Sequence, residues 1–257
     1  MTRGETAMTD GVAISREGAV QVIRFARPTK KNAIDAPMYA AMTEALETAG
    51  RDDAIAVSVF LGAPEIFCAG NDIADFIRAA SEGSEMRGVG DFLTALATSR
   101  RPLMAGVDGL AVGIGTTMLM HCDHVLATPR ATFRTPFTAL GLLPEAASSL
   151  IGPRLMGHRR AFELLVMGRD MDAEAARAAG LVNHIVAPGA LEDAVLAAAR
   201  HLAELPREAM LASRRLLKGD SGEVVTRIDM EMALFAERLQ SPEAQAAFQA
   251  FMSNGKL

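Results

Sequence analysis

The apolar period of this chain changes twice within its first sixty residues. Residues 12–15 and 19–26 read as two short strands around a turn at Glu17-Gly18. Met38, Ala41, Met42, Ala45 and Leu46 then recur at helical spacing across residues 37–48, and residues 54–61 form a buried-strand run. Strand, strand, helix is the opening unit, and it recurs. A helical stretch is expected after Asp72, a strand over 103–107, a helix over 115–120, and short strands over 125–128 and 131–135. Helices are expected over 154–167 and 173–179, with Gly180 as a C-terminal stop. This alternation argues an α/β core over residues 11–190. From Leu191 to residue 257 the pattern is almost wholly helical, broken at Pro206, at 219–222 and at Ser241-Pro242, where Ser241 can cap and Pro242 can take the first helical position. That tail is expected to be a helical subdomain. Its Ile228, Met232, Phe235, Leu239, Phe248 and Phe251 are more apolar surface than a small appendage buries alone, so self-association is expected.

Composition narrows the class. With 257 residues, 50% of them hydrophobic, the chain can fill the core of one large domain. A net charge of -5 argues against a general nucleic-acid binder, which draws its affinity from clustered Lys and Arg. Cys68 and Cys122, the two cysteines, give no disulfide framework, and a reducing, cytoplasmic setting is the expectation. Residues 1–10 lack the apolar core of a secretion signal and carry acids that a mitochondrial transit peptide avoids, so they read as a disordered leader. Charges or glycines interrupt every long apolar run, so no membrane-spanning helix is expected.

Candidate chemistry sits in two glycine-punctuated turns, Phe67-Cys68-Ala69-Gly70-Asn71-Asp72-Ile73 and Asp108-Gly109-Leu110-Ala111-Val112-Gly113-Ile114-Gly115. Each follows a strand-like run and precedes a helix-like one, an arrangement that aims free backbone N–H groups at one small target where negative charge collects. A single isolated acid, Glu145, follows in Gly141-Leu142-Leu143-Pro144-Glu145-Ala146. The alternative for the glycines is that they merely permit tight turns, and for Glu145 that it is a first-turn helix carboxylate ahead of Ala146 to Ser149. Other patterns lead nowhere. Gly113-Ile114-Gly115 has Met118 where a dinucleotide fingerprint needs its third glycine, and Gly219-Asp220-Ser221-Gly222 is followed by Glu223, so it reads as a helix break with capping side chains. His121-Cys122-Asp123-His124 has metal-binding residue types without a second ligand cluster, and no metal is expected.

The two turns, their order, Phe133-Arg134-Thr135-Pro136-Phe137, the stretch Arg27-Pro28-Thr29-Lys30-Lys31-Asn32-Ala33, Cys122-Asp123 and Ala178-Ala179-Gly180-Leu181-Val182-Asn183 together resemble the crotonase (enoyl-CoA hydratase/isomerase) superfamily over nearly the whole chain. The resemblance implies an α/β fold, a crotonase-like spiral of ββα units whose C-terminal helices form a trimerisation subdomain, in a homotrimer or homohexamer. It implies an acyl-CoA thioester substrate and no cofactor beyond the coenzyme A that the substrate carries. By the same resemblance the oxyanion donors are the backbone N–H groups of Asn71 and Ile114. Arg27, Lys30 and Lys31 would border the adenosine phosphates, with Ala69, Asp72 and Ile73 as further CoA-binding positions and Lys218 and Lys256 as candidates for the ribose phosphate. Each basic residue taken alone also reads as a solvated surface charge.

Carboxylates discriminate among the reactions of this family. Its hydratases pair two Glu residues to activate water, and the matching positions here hold Thr117 and Phe137. Glu145 instead resembles the catalytic Glu of peroxisomal-type Δ3,Δ2-enoyl-CoA isomerases, which also share Gly70-Asn71-Asp72 and Pro144-Glu145. The expected activity is therefore a double-bond shift with Glu145 as the acid/base. Phe137, Leu140, Leu142 and Leu143 are expected to keep the pocket dry and to raise Glu145 above its reference of about 4.3 while leaving it ionised near neutrality, whereas a helix N-terminus acting on it would oppose that rise and leave the net shift open. Enoyl-CoA hydration, or acyl-CoA binding without turnover, are the alternatives.

Overall fold

Helix α1 (Ala36–Arg51) starts where Asp35 accepts a hydrogen bond from the Met38 N–H, with Pro37 in the first turn, and its face of Met38, Ala41, Met42, Ala45, Leu46 and Ala49 is buried. The computed structural model describes residues 7–9, 11–73 and 87–254. Its strands are β1 (Ala7–Thr9), β2 (Val12–Glu17), β3 (Val20–Phe25), β4 (Val57–Leu61), β5 (Ile66–Cys68), β6 (Leu103–Val107), β7 (Leu110–Val112), β8 (His124–Ala127), β9 (Thr132–Arg134), β10 (Met171–Asp172) and β11 (His184–Ile185). Every residue of β4 and β6 is buried, as expected of parallel strands covered on both faces, and this is why they read as unbroken apolar runs.

Consecutive strands divide between two sheets. One has the order β1-β2-β3-β4-β6-β8-β11 and the other β10-β9-β7-β5. The pairs β4/β5, β6/β7 and β8/β9 each place one strand in either sheet, and neighbours from successive pairs run parallel. Helices α2 (Arg87–Ala97) and α3 (Ile114–Thr117) lie between those pairs, so each ββα unit advances the chain by one strand in both sheets. This is the spiral of the crotonase fold.

The corners where the chain passes from one sheet to the other stack on each other. Asp108 accepts from the Glu65 N–H at 3.0 Å, from Thr128 Oγ1 at 2.7 Å and from both Nε and Nη2 of Arg130 at 2.6 Å, while Arg130 Nη1 reaches Glu65 at 2.8 Å. Three successive units are thereby tied through one carboxylate, which the Arg130 guanidinium holds down to about 2. Gly109 is required at this corner: its φ is +70°, and a Cβ there would lie 1.8 Å from the Glu65 carbonyl oxygen.

The remaining helices are α4 (Ser148–Met156), α5 (His158–Leu165), α6 (Ala173–Ala178), α7 (Leu191–Glu204), α8 (Arg207–Lys218), α9 (Ser221–Leu239) and α10 (Pro242–Asn254). Helix α7, placed with the tail by its pattern, packs Leu191, Val195, Leu196 and Ala199 on Val20, Val22, Val57, Val59, Met104 and Leu126 of the larger sheet. Helix α9 packs against α2, and α10 against the short turn Thr138–Leu140.

Several expectations are corrected. The leader read as disordered contributes β1, which pairs antiparallel with the otherwise open edge of β2. A single helix over 154–167 is instead two, because Gly157 at φ +78° breaks the ladder, and the first begins at Ser148. The helix over 115–120 is one α turn that tightens into a 3₁₀ turn, Met118–His121. Ile228, Phe235, Leu239 and Phe248, offered above for self-association, are buried within this same chain. Met232 packs partly buried beside them, and Leu216 and Leu217 on α8 are the strongly exposed leucines instead. The helical stretch expected after Asp72 is met by α2 at Arg87–Ala97, while residues 74–86 lie outside the described residues, as does the side chain of Phe251. Among the described residues no helix is long and apolar enough to cross a membrane.

Replacing Gly109 by Ala forces the Glu65 corner to move, and a loss of about 3 kcal/mol is expected. Chemical denaturation of the variant beside the parent measures it, and a loss under about 0.5 kcal/mol would contradict the stacked-corner account.

Candidate active site

The first turn leaves β5 through Gly70, at φ +89°. Ile34 bridges it in the parallel sense, its N–H donating to the Gly70 carbonyl at 2.8 Å and its own carbonyl accepting from the Asp72 N–H at 2.9 Å. In such a bridge the residue between the two contacts turns its N–H to the other side, so the Asn71 N–H faces away from Ile34. The second turn leaves β7 through Gly113, at φ +54°, and Ile114 opens α3, where the first N–H groups of a helix have no intrahelical acceptor. Thr116 Oγ1 closes this turn onto the Ala111 carbonyl at 2.7 Å.

The two turns touch. A Cβ on Gly70 would lie 3.0 Å from the Val112 carbonyl oxygen, and one on Gly115 would lie 2.8 Å from both Cβ and the carbonyl oxygen of Cys68. These glycines therefore serve the close approach of two backbones as well as turning. Tyr39 from α1, buried, donates to Asn71 Oδ1 at 2.5 Å and fixes that side chain beside the turn.

Glu145 does not start a helix. Ala146 and Ala147 both have positive φ, at 63° and 53°, and α4 begins only at Ser148. Left-handed alanines cost roughly 1 kcal/mol each and persist only where neighbours impose them. Two side chains impose them here. His121 Nε2 donates to the Ala146 carbonyl at 2.7 Å, and Glu231 of α9 accepts from both N–H and Oγ of Ser149, at 3.1 and 2.5 Å, capping α4 from outside. Because a carbonyl only accepts, His121 must carry its proton on Nε2, and burial presses its pKa down to about 4, which keeps it neutral.

The Glu145 carboxyl is 3% exposed. Its Oε1 accepts from Thr117 Oγ1 at 2.5 Å, while its Oε2 is buried without a hydrogen-bond partner among the described residues. Burial pushes its pKa up to about 8; the Thr117 hydrogen bond pulls the other way and the Glu231 carboxyl adds to the rise. Desolvation outweighs the opposing influence, and near pH 7 the resting carboxyl is mostly protonated rather than ionised, because one hydroxyl offsets little of the desolvation. Phe137, Leu140 and Leu142 are buried in the hydrophobic core, with Leu143 packed partly buried against it. Burial likewise holds the Tyr39 phenol and the Cys68 thiol neutral, the latter pushed up to about 12.

Of the residues implied for CoA, Lys30 and Lys31 are exposed, and Ala69 and Ile73 are partly so. Arg27 and Asp72 are not free charges: Arg27 Nη1 binds Asp72 at 2.9 Å and the Ala33 carbonyl at 3.0 Å, and its Nη2 binds Asp35 at 3.2 Å. Together they brace the loop, with Asn32 donating to the Ile66 and Phe67 carbonyls. Lys218 is not brought to this loop; its Nζ donates to the His121 carbonyl at 2.7 Å and lies 3.9 Å from Asp123. Lys256 lies outside the described residues. The sequence reading missed Glu231, His121 and Tyr39. Glu231 left a signal, since it falls on the apolar stripe of Ile228, Phe235 and Leu239, where a charged residue needs a buried partner. Of the patterns set aside, Asp220 caps α9, and His121, Cys122, Asp123 and His124 turn to the Ala146 carbonyl, the Met118 carbonyl, Arg214 and the His184 ring respectively.

A fold in which stacked ββα units bring two glycine turns together beside a buried carboxyl defines a class, and comparison with known proteins agrees with it. The family model for enoyl-CoA hydratase/isomerase matches residues 15–257, and the chain belongs to that family. It is 34% identical to enoyl-CoA delta isomerase 2 of Rattus norvegicus across 97% of this chain and 65% of that protein. It is 33% identical to the peroxisomal enoyl-CoA delta isomerase 3 of Mus musculus, across 94% of this chain and 78% of that protein. The solved structure of Pseudomonas aeruginosa OdaA superposes with a TM-score of 0.90 at 40% identity, covering 95% of this chain and 99% of that one. The chain thus spans just under two thirds of the rat relative.

The raised pKa of Glu145 has a stability consequence. The folded state holds this proton more tightly than the unfolded chain, so stability falls as pH rises from about 4.5 towards 8, the span between the two pKa values. Glu145→Gln removes that dependence. Its melting temperature is expected to exceed that of the parent at pH 8.5 and to converge with it at pH 4.5; thermal scans at the two pH values check this, and an equal gap at both would contradict it.

Proposed function

We propose that this protein is a Δ3,Δ2-enoyl-CoA isomerase that moves a double bond within a fatty acyl-CoA. The observation that carries the reading is the Glu145 carboxyl, buried with Oε1 held by Thr117 and Oε2 unpartnered, while Thr117 and Phe137 occupy the positions at which hydratases place their paired Glu residues. Glu231, the neighbouring carboxyl, accepts through Oε1 at the α4 N-terminus, and its Oε2, like that of Glu145, is buried without a hydrogen-bond partner among the described residues.

In this mechanism Oε2 takes a proton from C2 of a 3-enoyl thioester. The C–H electrons delocalise through the thioester, whose oxygen becomes negative and is met by the N–H groups of Asn71 and Ile114; one such preorganised donor typically contributes ~2.7–4 kcal/mol. The same carboxylic acid returns the proton at C4, leaving the double bond between C2 and C3. No atom is gained or lost, so water is a competitor, and the apolar wall of Phe137, Leu140 and Leu142 keeps it out. The buried pKa suits both halves, since a base and its conjugate acid work best when balanced near the operating pH. The names of the rat and mouse relatives support the same reaction. Lys30 and Lys31 present charge for the CoA phosphates, with Arg27 and Asp72 as their brace. Self-association, trimeric or hexameric, would cover the exposed leucines of α8.

A 3-enoyl-CoA and, separately, a 2-enoyl-CoA supplied to the purified protein test the reading by product mass. An isobaric 2-enoyl product from the first is expected, with kcat/KM rising as pH passes through about 8, and Glu145→Gln is expected to lower that rate by about 10³-fold while acyl-CoA still binds. Rapid gain of one water by the 2-enoyl substrate would make the protein a hydratase instead. Binding without turnover would make it an acyl-CoA carrier.

A further inference from the structure

Thr117 stands between the two halves of the site. Its N–H donates to the Gly113 carbonyl at 2.9 Å, and its Oγ1 lies 3.3 Å from the same oxygen and 2.5 Å from Glu145 Oε1. That carbonyl and the Ile114 N–H belong to one rigid peptide unit. Thr117 is fully buried, so water does not compete for its hydroxyl. The hydroxyl has one proton, and the carboxyl oxygen is both nearer and the better acceptor.

Resting on the isomerase reading above, we propose that Thr117 is a positioning residue that selects which oxygen of Glu145 exchanges the substrate proton, by holding the other oxygen, Oε1, and linking it through the Thr117 N–H to the Ile114 peptide. In the ionised form, with Oε1 occupied, Oε2 is the oxygen without a hydrogen-bond partner among the described residues, and rotation of the carboxylate about its last bond would break a charge-assisted hydrogen bond. Because the hydroxyl stabilises the ionised form, its loss makes Glu145 harder to ionise. A hydroxyl at this position also explains how the site works with a single carboxyl: the neighbour of the base must donate, and a second carboxylate would repel it.

Groups facing Glu145 from the surrounding elements define what else titrates. Tyr39 from α1 and Cys68 from β5 both feel its charge and are held neutral by burial, and His121, bonded to the next carbonyl, is neutral above about pH 4. Among the described residues, Glu231 from α9, with Arg227 beside it on Ser149, is the carboxyl whose charge bears on Glu145.

The test compares Thr117→Val, Thr117→Ala and Thr117→Ser with the parent. The Glu145 titration is followed in each ligand-free protein by carboxyl-carbon NMR of ¹³C-labelled glutamate, Glu145→Gln assigning its signal and Glu231→Gln that of its neighbour. Removal of the hydroxyl is expected to raise the Glu145 midpoint by about 1 pH unit or more, and Ser to leave it within a few tenths. On a 3-enoyl-CoA, Val and Ala are expected to lower kcat at pH 7 by about 10-fold or more and to carry the acid limb of the pH profile upward with the NMR midpoint, KM staying within about twofold. If Val fails to fold, the Ser and Ala pair, which differ by the hydroxyl alone, decides. An unchanged midpoint in Val and Ala overturns the inference even if the protein is an isomerase. A shifted midpoint in a protein that turns over no 3-enoyl-CoA overturns the isomerase reading and leaves the hydroxyl-to-carboxyl coupling standing.

Discussion

Two backbones in contact without side chains between them are the constraint on which this molecule depends. Gly70 meets the Val112 carbonyl, and Gly115 meets Cys68, at distances where a Cβ would clash. That contact requires β5 and β7 to be neighbours in the smaller sheet, which in turn requires the chain to advance by one strand in each sheet per unit. The corner built on Asp108, Gly109, Glu65 and Arg130 holds the same units in register at the far end of these strands. The fold thus sets where the two N–H groups sit, and neither depends on a flexible side chain.

Glu145 shows the opposite tendency, a group kept where it is least stable. Its carboxyl is buried, its loop runs through two left-handed alanines, and among the described residues only Thr117 bonds its side chain. His121 and Glu231 stabilise the main chain on either side, so the strain of the loop is offset by groups that do not touch the reacting atoms. Both are reached from elsewhere: Lys218 of α8 bonds the His121 carbonyl, and Glu231 arrives on α9. The C-terminal helices therefore bear on the Glu145 loop as well as covering the core.

The charges near the first turn divide in the same manner. Arg27 and Asp72 neutralise each other and fix the loop, while Lys30, itself 4.0 Å from Asp72, and Lys31 stand exposed. A basic residue in a motif conveys charge but not whether that charge is available; only the partner across the loop decides it.

Much was legible along the chain because it follows from local chemistry. The strand and helix periods, the glycine turns and the lone Glu145 are short-range features, and alternation of elements points to the α/β core. What only the tertiary structure decided involves residues far apart in sequence. Glu231 caps a helix 82 positions earlier, and Thr117 reaches Glu145 across 28. The apolar stripe of α9 has one appearance whether it meets α2 of its own chain or a second copy, so Ile228 and Phe235 reveal their burial only once the packing is known. Gly157 ends a helix that composition would continue, and β1 forms because β2 offers an open edge. Propensity and period are properties of a segment; desolvation, orphaned oxygens and close backbone approach are properties of what surrounds it, and the depth of the Glu145 pKa shift is of the second kind.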